Sequence, residues 1–143
     1  MTLSLGIDFG TSGARGVVID EEGRILSEMR HCWQVGTVDW VQCWQQALWS
    51  LLGQIPGVLR GEIGAIAING TSSTILLTDG AGKPVDAPLL YNDGRGAVVL
   101  ERLSRIAPAN HTVLNATSSL AKLLWMQELP DFAKARYLLH QAD

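Results

Sequence analysis

The residues with the clearest chemical potential lie near the start of the chain, where an aspartate precedes a turn of small residues. Apolar residues alternate over positions 3–7, which predicts a β-strand that leads into Asp8. Four residues suited to a tight turn follow: Gly10, Thr11, Ser12 and Gly13. A β-branched run at 17–19 predicts a second strand that ends at Asp20. A carboxylate at a strand end, beside backbone N–H groups and hydroxyls, can hold a metal-bound phosphate.

The spacing of the glycines distinguishes this turn from two better-known phosphate loops. A dinucleotide-binding fingerprint requires a helix directly after its glycines, whereas here a strand is predicted after Gly10 and Gly13. The Gly-Lys-Ser/Thr sequence of a P-loop is also missing. On the residues alone two interpretations stay open, a β-hairpin that binds phosphate and an ordinary hairpin with a glycine turn.

Composition narrows the class of protein. A chain of 143 residues, 47% of them hydrophobic, is long enough to bury the core of one domain. Its net charge of −3 and its lack of Lys/Arg runs argue against nucleic-acid and membrane partners. The two cysteines, Cys32 and Cys43, lack metal-binding spacing. We therefore expect free thiols and a cytoplasmic location.

The first half of the chain predicts a meander followed by a helix. Segment 24–33 predicts a third strand, joined to the second through a turn at Gly23, so the first three strands should run antiparallel. Thr37 or Asp39 could cap the next helix, which should end at Pro56. The apolar residues of this helix share one face that should pack into the core: Trp40, Val41, Trp44, Ala47, Leu48, Leu51, Leu52 and Ile55.

The second half alternates between strand and helix patterns. Three segments predict strands: 63–68, 74–78 and 137–139. The first of them is uniformly apolar, so we expect a central strand. Helical periodicity extends over 95–106, and Ser118 or Ser119 should cap a further helix. The order of elements predicts an α/β fold with a mixed sheet, in which strands 1–3 form an antiparallel meander and helices flank the sheet.

Longer motifs in three segments point to a family. The segments are DFGTSGARG at 8–16, IGAIAINGTSSTILLTD at 63–79 and APLLYNDGRG at 87–96. The first resembles the first phosphate motif of the FGGY carbohydrate kinases, which belong to the actin-like, ribonuclease-H-like ATPase superfamily. The second resembles the family's second conserved hairpin, and the third its P-x-x-x-W-x-D-x-R segment. TSSLAKLLWM at 117–126 resembles the helix that follows.

This resemblance implies a phosphate site at the first hairpin, with ATP and Mg²⁺ as cofactors. Asp8 would be a catalytic residue and the metal ligand, through water, because Mg²⁺ keeps several waters when it meets one carboxylate. Four residues would bind the nucleotide phosphates: Gly10, Thr11, Ser12 and Gly13. Thr11 would also act on the transferring phosphoryl group as a catalytic residue. A purely structural role for Asp8, capping the turn, is the alternative.

The resemblance also implies a sugar site. Ser72 would contact the substrate, with Thr71 and Ser73 beside it, since a hydroxyl both donates and accepts hydrogen bonds. An ordinary serine turn at the end of a strand is the alternative. Asp93 and Arg95 match the family's D-x-R and either line the sugar site or pair with each other. The family often has glutamine where this chain has Thr71, and tryptophan at position 91. Both departures suit a subgroup of cyanobacterial and plant kinases described as D-ribulose or xylulose kinases, the closest likeness within the family.

By this resemblance, residues 1–143 would be the N-terminal part of the first lobe of such a kinase, with the rest of that lobe and the second lobe absent. No residue matches the family's catalytic base, and Asp143 lies in a different sequence context. The expected partners are ATP, a small ketopentose, and either a second copy of the kinase or its missing C-terminal part. An actin-like ATPase without a sugar acceptor and a non-catalytic module that binds nucleotide or a partner are the alternatives.

Overall fold

A computed structural model describes residues 2–34, 36 and 39–143 and divides into two compact units. The first unit extends to Thr71, and the second runs from Ser72 to Gln141. The phosphate hairpin predicted from the sequence belongs to the first unit. Ser72 and the Asp93–Arg95 pair belong to the second.

The first unit is built on a four-stranded mixed sheet. Its strands are β1 (Leu3–Phe9), β2 (Gly13–Ile19), β3 (Ile25–Cys32) and β4 (Ile63–Gly70), in the order β3-β2-β1-β4. The first three pair antiparallel, and β4 pairs parallel with β1. The predicted meander is therefore confirmed. A turn between β2 and β3 is held by Asp20, whose carboxylate accepts hydrogen bonds from the backbone and guanidinium of Arg24.

Helix α1 (Trp40–Gln54) supplies the apolar face that the sequence predicts. Asp39 is its N-cap, with a side chain that accepts from the backbone N–H of Gln42. The other candidate cap, Thr37, lies outside the described residues. Trp44, Ala47 and Leu51 are buried along the helix. The alternate residues of β1 are buried as well: Leu3, Leu5, Ile7 and Phe9. A short helix, α2 (Gly57–Arg60), precedes β4.

The position of β4 differs from the prediction. The uniformly apolar run was expected to form a central strand, but β4 is an edge strand of the described sheet and pairs there only with β1. Most of its residues are exposed, including Ile66 and Ile68. The composition of a strand indicates its β propensity, whereas its burial depends on which neighbours pack against it.

The second unit pairs β5 (Ile75–Thr78) with β6 (Tyr137–His140) in an antiparallel ribbon. A 3₁₀ turn (Arg95–Val99) leads into α3 (Leu100–Ser104), and α4 (Ser119–Met126) follows. β5, Leu89 and α4 contribute to a buried cluster of Ile75, Leu77, Leu89 and Met126, and Leu138 of β6 packs against it. Ser118 is the N-cap of α4, as one of the two sequence alternatives predicted. A second 3₁₀ turn (Phe132–Lys134) precedes β6.

No helix in the described part of the chain has the length and apolar character that a membrane span requires. Cys32 and Cys43 are both free, as expected.

Candidate functional site

In the first unit, Asp8 lies near the end of β1 with fixed neighbours. The amide of Asn69 on β4 donates a hydrogen bond of 2.9 Å to Oδ1 of Asp8. Arg15 on β2 is the register partner of Asp8 across the antiparallel pair, and Asn69 is its partner across the parallel pair. Because paired residues in a sheet point to the same face, a carboxylate, a guanidinium and an amide lie side by side there.

This face of the sheet contains an open cavity of about 320 Å³. It is lined by residues of the three strands: Gly6, Ile7, Asp8, Arg15, Gly16, Val17, Ala67, Ile68 and Asn69. Its volume falls within the range of about 300–1,000 Å³ that is usual for small-molecule sites. The polar groups of Asp8, Arg15 and Asn69 interrupt an otherwise apolar surface, so they would orient a bound molecule.

The turn between β1 and β2 is closed by its own backbone and by Trp33. The N–H of Gly10 donates to the carbonyl of Gly13 at 2.9 Å, so this N–H is already engaged. The indole of Trp33 donates to the Gly10 carbonyl at 3.0 Å, and its backbone N–H donates to Ser12 at 3.3 Å. Thr11 and Ser12 form the exposed tip of the turn. These two residues, rather than Gly10, are thus placed to offer donors to a phosphate.

Gly13 has a structural requirement of its own. A Cβ added there would lie 2.5 Å from the carbonyl oxygen of His31 on β3, a distance that real side chains do not reach. The close approach of β2 to β3 therefore demands glycine at this position. In contrast, a Cβ at Gly10 would meet Asp8 and Gly13 at ordinary contact distances.

The Thr-Ser-Ser sequence after β4 is divided between the two units. The hydroxyl of Thr71 donates to the carbonyl of Phe9 at 3.1 Å, which ties it to the end of β1 in the first unit. Ser72 begins the second unit and is exposed. Ser73 has a φ of 62°, in the left-handed region that non-glycine residues seldom adopt.

In the second unit, Asp93 and Arg95 pair with each other, which is one of the two alternatives predicted from the sequence. The guanidinium of Arg95 contacts both carboxylate oxygens, with the shortest distance 2.7 Å. It also lies over the ring of Trp125 on α4, 4.6 Å from the ring centre. Hydrogen bonds from Arg95 lower the pKa of Asp93, although partial burial opposes the shift.

Lys122 on α4 is a residue to which sequence analysis assigned no role. Its side chain is fully buried, and its ammonium donates to the carbonyls of Ser73 and Leu90, each at 2.6 Å. Burial lowers the pKa of Lys122, and the negative charge of Asp93 partly offsets that effect. The sequence does contain a signal for it, a lysine within the apolar run Leu120–Met126, because a buried charge needs a specific partner.

The fit of a metal ion at Asp8 follows from the donors present. Among the described residues no group of three His, Cys, Asp or Glu side chains could hold an ion. A single carboxylate is nevertheless enough for Mg²⁺, which binds proteins through one or two carboxylates and keeps its waters. Asn69 occupies Oδ1 of Asp8 with an N–H donor, and Oδ2 lies on the side of Gly10. An oxygen ligand beside a turn of small and hydroxylated residues therefore suits a hydrated Mg²⁺.

Comparison with known proteins places these features in context. Residues 3–139 match the FGGY family of carbohydrate kinases, N-terminal domain. The chain is 27% identical to a xylulose kinase of Lactococcus lactis subsp. lactis, over 90% of this chain and 28% of that protein. It is 30% identical to glycerol kinase 1 of Streptomyces avermitilis, over 69% of this chain and 21% of that protein. The chain therefore spans less than a third of the length of these relatives.

Solved structures show the same fold. A structure from Brucella ovis described as a xyloylose kinase superposes with a TM-score of 0.83 at 24% identity, covering 99% of this chain and 33% of the other. Plasmodium falciparum glycerol kinase with ADP superposes with a TM-score of 0.74 at 20% identity, with coverage of 99% and 33%. The fold is that of the actin-like ATPases, as predicted. With 137 of its 143 positions inside the family match, the chain belongs to the FGGY family of carbohydrate kinases.

Proposed function

We propose that this chain is the N-terminal part of the first lobe of an ATP-dependent kinase that phosphorylates a ketopentose, D-ribulose or D-xylulose. The observation that carries the proposal is the family match over residues 3–139. The xylulose kinases among the relatives support a pentulose acceptor. The departures at Thr71 and Tyr91 favour D-ribulose within that class.

The phosphate part of the proposed site is the hairpin of the first unit. Asp8 would hold Mg²⁺ through water, with its orientation fixed by the hydrogen bond from Asn69. Thr11 and Ser12 at the exposed tip would donate hydrogen bonds to the phosphates, together with the backbone of Gly13. When bound, the metal would neutralise the charge that develops on the transferring phosphoryl group. The N–H of Gly10 already donates to Gly13, so Gly10 would contribute by letting the backbone approach a phosphate closely.

The sugar part of the proposed site lies in the second unit. The exposed hydroxyl of Ser72 would donate to one sugar hydroxyl and accept from another, and Thr71 and Ser73 would flank it. Asp93 and Arg95 would contact the sugar as a pair, because each already neutralises the charge of the other. The sugar hydroxyl proton has to leave during transfer, and the base that takes it is not among the residues of this chain.

ATP and a ketopentose are the proposed ligands, and the remaining part of the same kinase or a second copy is the proposed protein partner. ATP is available in the cytoplasm and both cysteines are free thiols, so we propose a cytoplasmic location. Glycerol is the second candidate acceptor, because glycerol kinases also match the chain at 25–30% identity. The competing alternatives, an actin-like ATPase without a sugar acceptor and a non-catalytic module, would not phosphorylate any polyol.

An acceptor screen tests this proposal. The complete protein that contains this chain would be purified and assayed for ADP release with ATP and Mg²⁺ on D-ribulose, D-xylulose and glycerol. We expect a kcat/KM for a ketopentose that exceeds the value for glycerol by about tenfold or more, within the discrimination that one polar contact can provide. A preference for glycerol would reassign the acceptor. ATP hydrolysis without phosphorylation of any acceptor would exclude the kinase.

A further inference from the structure

Lys122 is the largest of the fully buried side chains in the part of the chain that the structure describes. A buried ammonium is costly, because water no longer solvates the charge. Such a group persists in proteins when its donors are satisfied by fixed partners. The partners of Lys122 therefore indicate why the lysine is there.

Those partners are two backbone carbonyls that lie far apart in sequence. The ammonium of Lys122 donates to Ser73, 49 residues earlier, and to Leu90, 32 residues earlier, each at 2.6 Å. One carbonyl belongs to the turn that carries Ser72, and the other lies three residues before Asp93. A single side chain thus connects the two segments that hold the proposed sugar ligands.

The connected segments are held in a particular geometry. Ser73 has a φ of 62°, which a non-glycine residue adopts only when its surroundings enforce it. The hydrogen bond from Lys122 to the Ser73 carbonyl fixes the orientation of the peptide between Ser73 and Thr74, directly after the residue that follows Ser72. On the other segment, Asp93 lies close enough to Lys122 for the two charges to interact.

Helix α4 also supports Arg95, another of the proposed sugar ligands. One turn after Lys122, Trp125 lies beneath the guanidinium of Arg95 at 4.6 Å, and Arg95 in turn pairs with Asp93. Helix α4 therefore contacts both segments through the Lys122 ammonium, and it contacts the segment from Leu90 to Arg95 also through the ring of Trp125. An aliphatic residue in place of Lys122 would leave the two carbonyls without their shared donor.

We propose that Lys122 is a positioning residue for the sugar acceptor, which sets the spacing between the Ser72–Ser73 turn and the segment from Leu90 to Arg95 through its two carbonyl hydrogen bonds. The proposal rests on the proposed kinase function. Lys122 itself is fully buried and does not contact the sugar. Its effect should therefore be seen in recognition of the acceptor and not in recognition of ATP.

The test is Lys122→Met in the complete kinase, since methionine keeps most of the volume and removes the donors. We expect the KM for the sugar to rise by about tenfold or more, as for the loss of hydrogen bonds to a charged group, with the KM for ATP within about twofold of the parent. Lys134→Met is the matched control. It removes an exposed lysine of the same unit that pairs only with Asp131 among the described residues, and it should leave both KM values unchanged.

Two outcomes would overturn the positioning role. One is a folded Lys122→Met enzyme, judged by circular dichroism, whose sugar KM stays within about twofold of the parent. The other is an equal rise of both KM values, which indicates general loosening. The comparison is made on whichever acceptor the parent phosphorylates. A parent without kinase activity contradicts the proposed function. An active parent whose sugar KM is unchanged by Lys122→Met contradicts only the role of Lys122.

A measurement on the unmodified enzyme covers the case in which the variant does not fold. A buried, hydrogen-bonded ammonium gives a resolvable ¹⁵N resonance. The Lys122 signal, assigned with ¹⁵N-lysine labelling, should shift on saturation with the sugar and stay in place on addition of a non-hydrolysable ATP analogue. An Nζ resonance that does not move at saturating sugar would refute the coupling between Lys122 and the acceptor site.

Discussion

Single residues in the candidate sites are held by donors from their own unit, and this determines what each can contribute. Asn69 engages Oδ1 of Asp8 through a neutral amide, which leaves Oδ2 available to a cation. Asp93, in contrast, already has a cationic partner in Arg95. This difference supports the proposed metal role of Asp8 and the proposed sugar role of Asp93, although the two residue types are identical.

Asp8→Ala in the complete kinase should mainly lower kcat. The metal contact strengthens as charge develops at the phosphoryl group, so a loss on the order of 10²-fold is expected, as for removal of one group that stabilises a transition state. Steady-state kinetics at saturating Mg²⁺ and ATP provide the measurement. Asp131→Ala, which removes an exposed carboxylate, is the control. A kcat within about twofold of the parent would assign Asp8 a structural role.

Ser72→Ala should weaken use of the sugar and leave the KM for ATP nearly unchanged. A lost hydrogen bond to a neutral hydroxyl costs about 0.5–1.5 kcal/mol, which corresponds to a several-fold drop in sugar kcat/KM. Because Ser72 is exposed, the melting temperature should change little. Ser104→Ala, an exposed serine on α3, serves as the control. If the KM for ATP rises while the sugar kinetics stay constant, Ser72 belongs to the nucleotide side.

Acid stability should depend on Asp93. Hydrogen bonds from Arg95 lower the pKa of Asp93 below its ordinary value of 3.8, so the folded state binds fewer protons than the unfolded state in this range. The stabilisation is fully present above the unfolded pKa and is lost as pH falls through the folded pKa. Urea unfolding at several pH values between 5 and 2.5 measures this. Asp93→Asn should flatten the dependence. A variant curve parallel to that of the parent would contradict the assignment.

At the scale of elements, local patterns predicted most of the secondary structure. Period-2 alternation identified β1, and the cap at Ser118 identified the start of α4, because both signals depend on neighbouring residues. The exposure of β4 could not be predicted, since its apolar run says nothing about what packs against it. The link from Lys122 to Ser73 and Leu90 was also inaccessible, because it joins segments that only the tertiary fold brings together.

The packing of the 3₁₀ turn Arg95–Val99 on α4 can be tested with two glycines. A Cβ at Gly96 would lie 2.4 Å from the Ala116 carbonyl and 2.8 Å from the Ala121 side chain, and these atoms cannot easily move. Gly96→Ala should therefore lower the free energy of unfolding by about 1–3 kcal/mol, as overpacking does. Gly94→Ala is the matched control, because nothing lies within 4 Å of its added Cβ and its φ is −95°.

Urea titrations of the two variants give the comparison directly. Equal stabilities for Gly96→Ala and Gly94→Ala would mean that α4 yields to the added methyl group. In that case α4 would not be the rigid support on which the positioning role of Lys122 depends. A selective loss at Gly96 would instead agree with close contact between the helix and the turn that begins at Arg95.

At the scale of the whole molecule, the proposed roles are distributed between two compact units. The proposed phosphate ligands lie in the unit that ends at Thr71, and the proposed sugar ligands from Ser72 onward lie in the other. Phosphoryl transfer requires both sets of ligands, a metal and a base for the hydroxyl proton. This chain offers candidate ligands for the phosphates, the sugar and the metal, but no residue that matches the family's base.

The 143-residue chain alone should therefore lack sugar kinase activity. A general base contributes about 10²–10⁴-fold to such a reaction, and the loss of substrate positioning adds further to the deficit. The measurement is ADP release with D-ribulose, D-xylulose and glycerol at saturating ATP and Mg²⁺, with circular dichroism to establish that the chain is folded. We expect a turnover below about 1% of the complete kinase, which corresponds to the lower end of that range.

Phosphorylation by the folded chain at a rate within about tenfold of the complete kinase would show that a base is present among these residues. Asp93, the carboxylate among the proposed sugar ligands, would then be the first candidate to substitute.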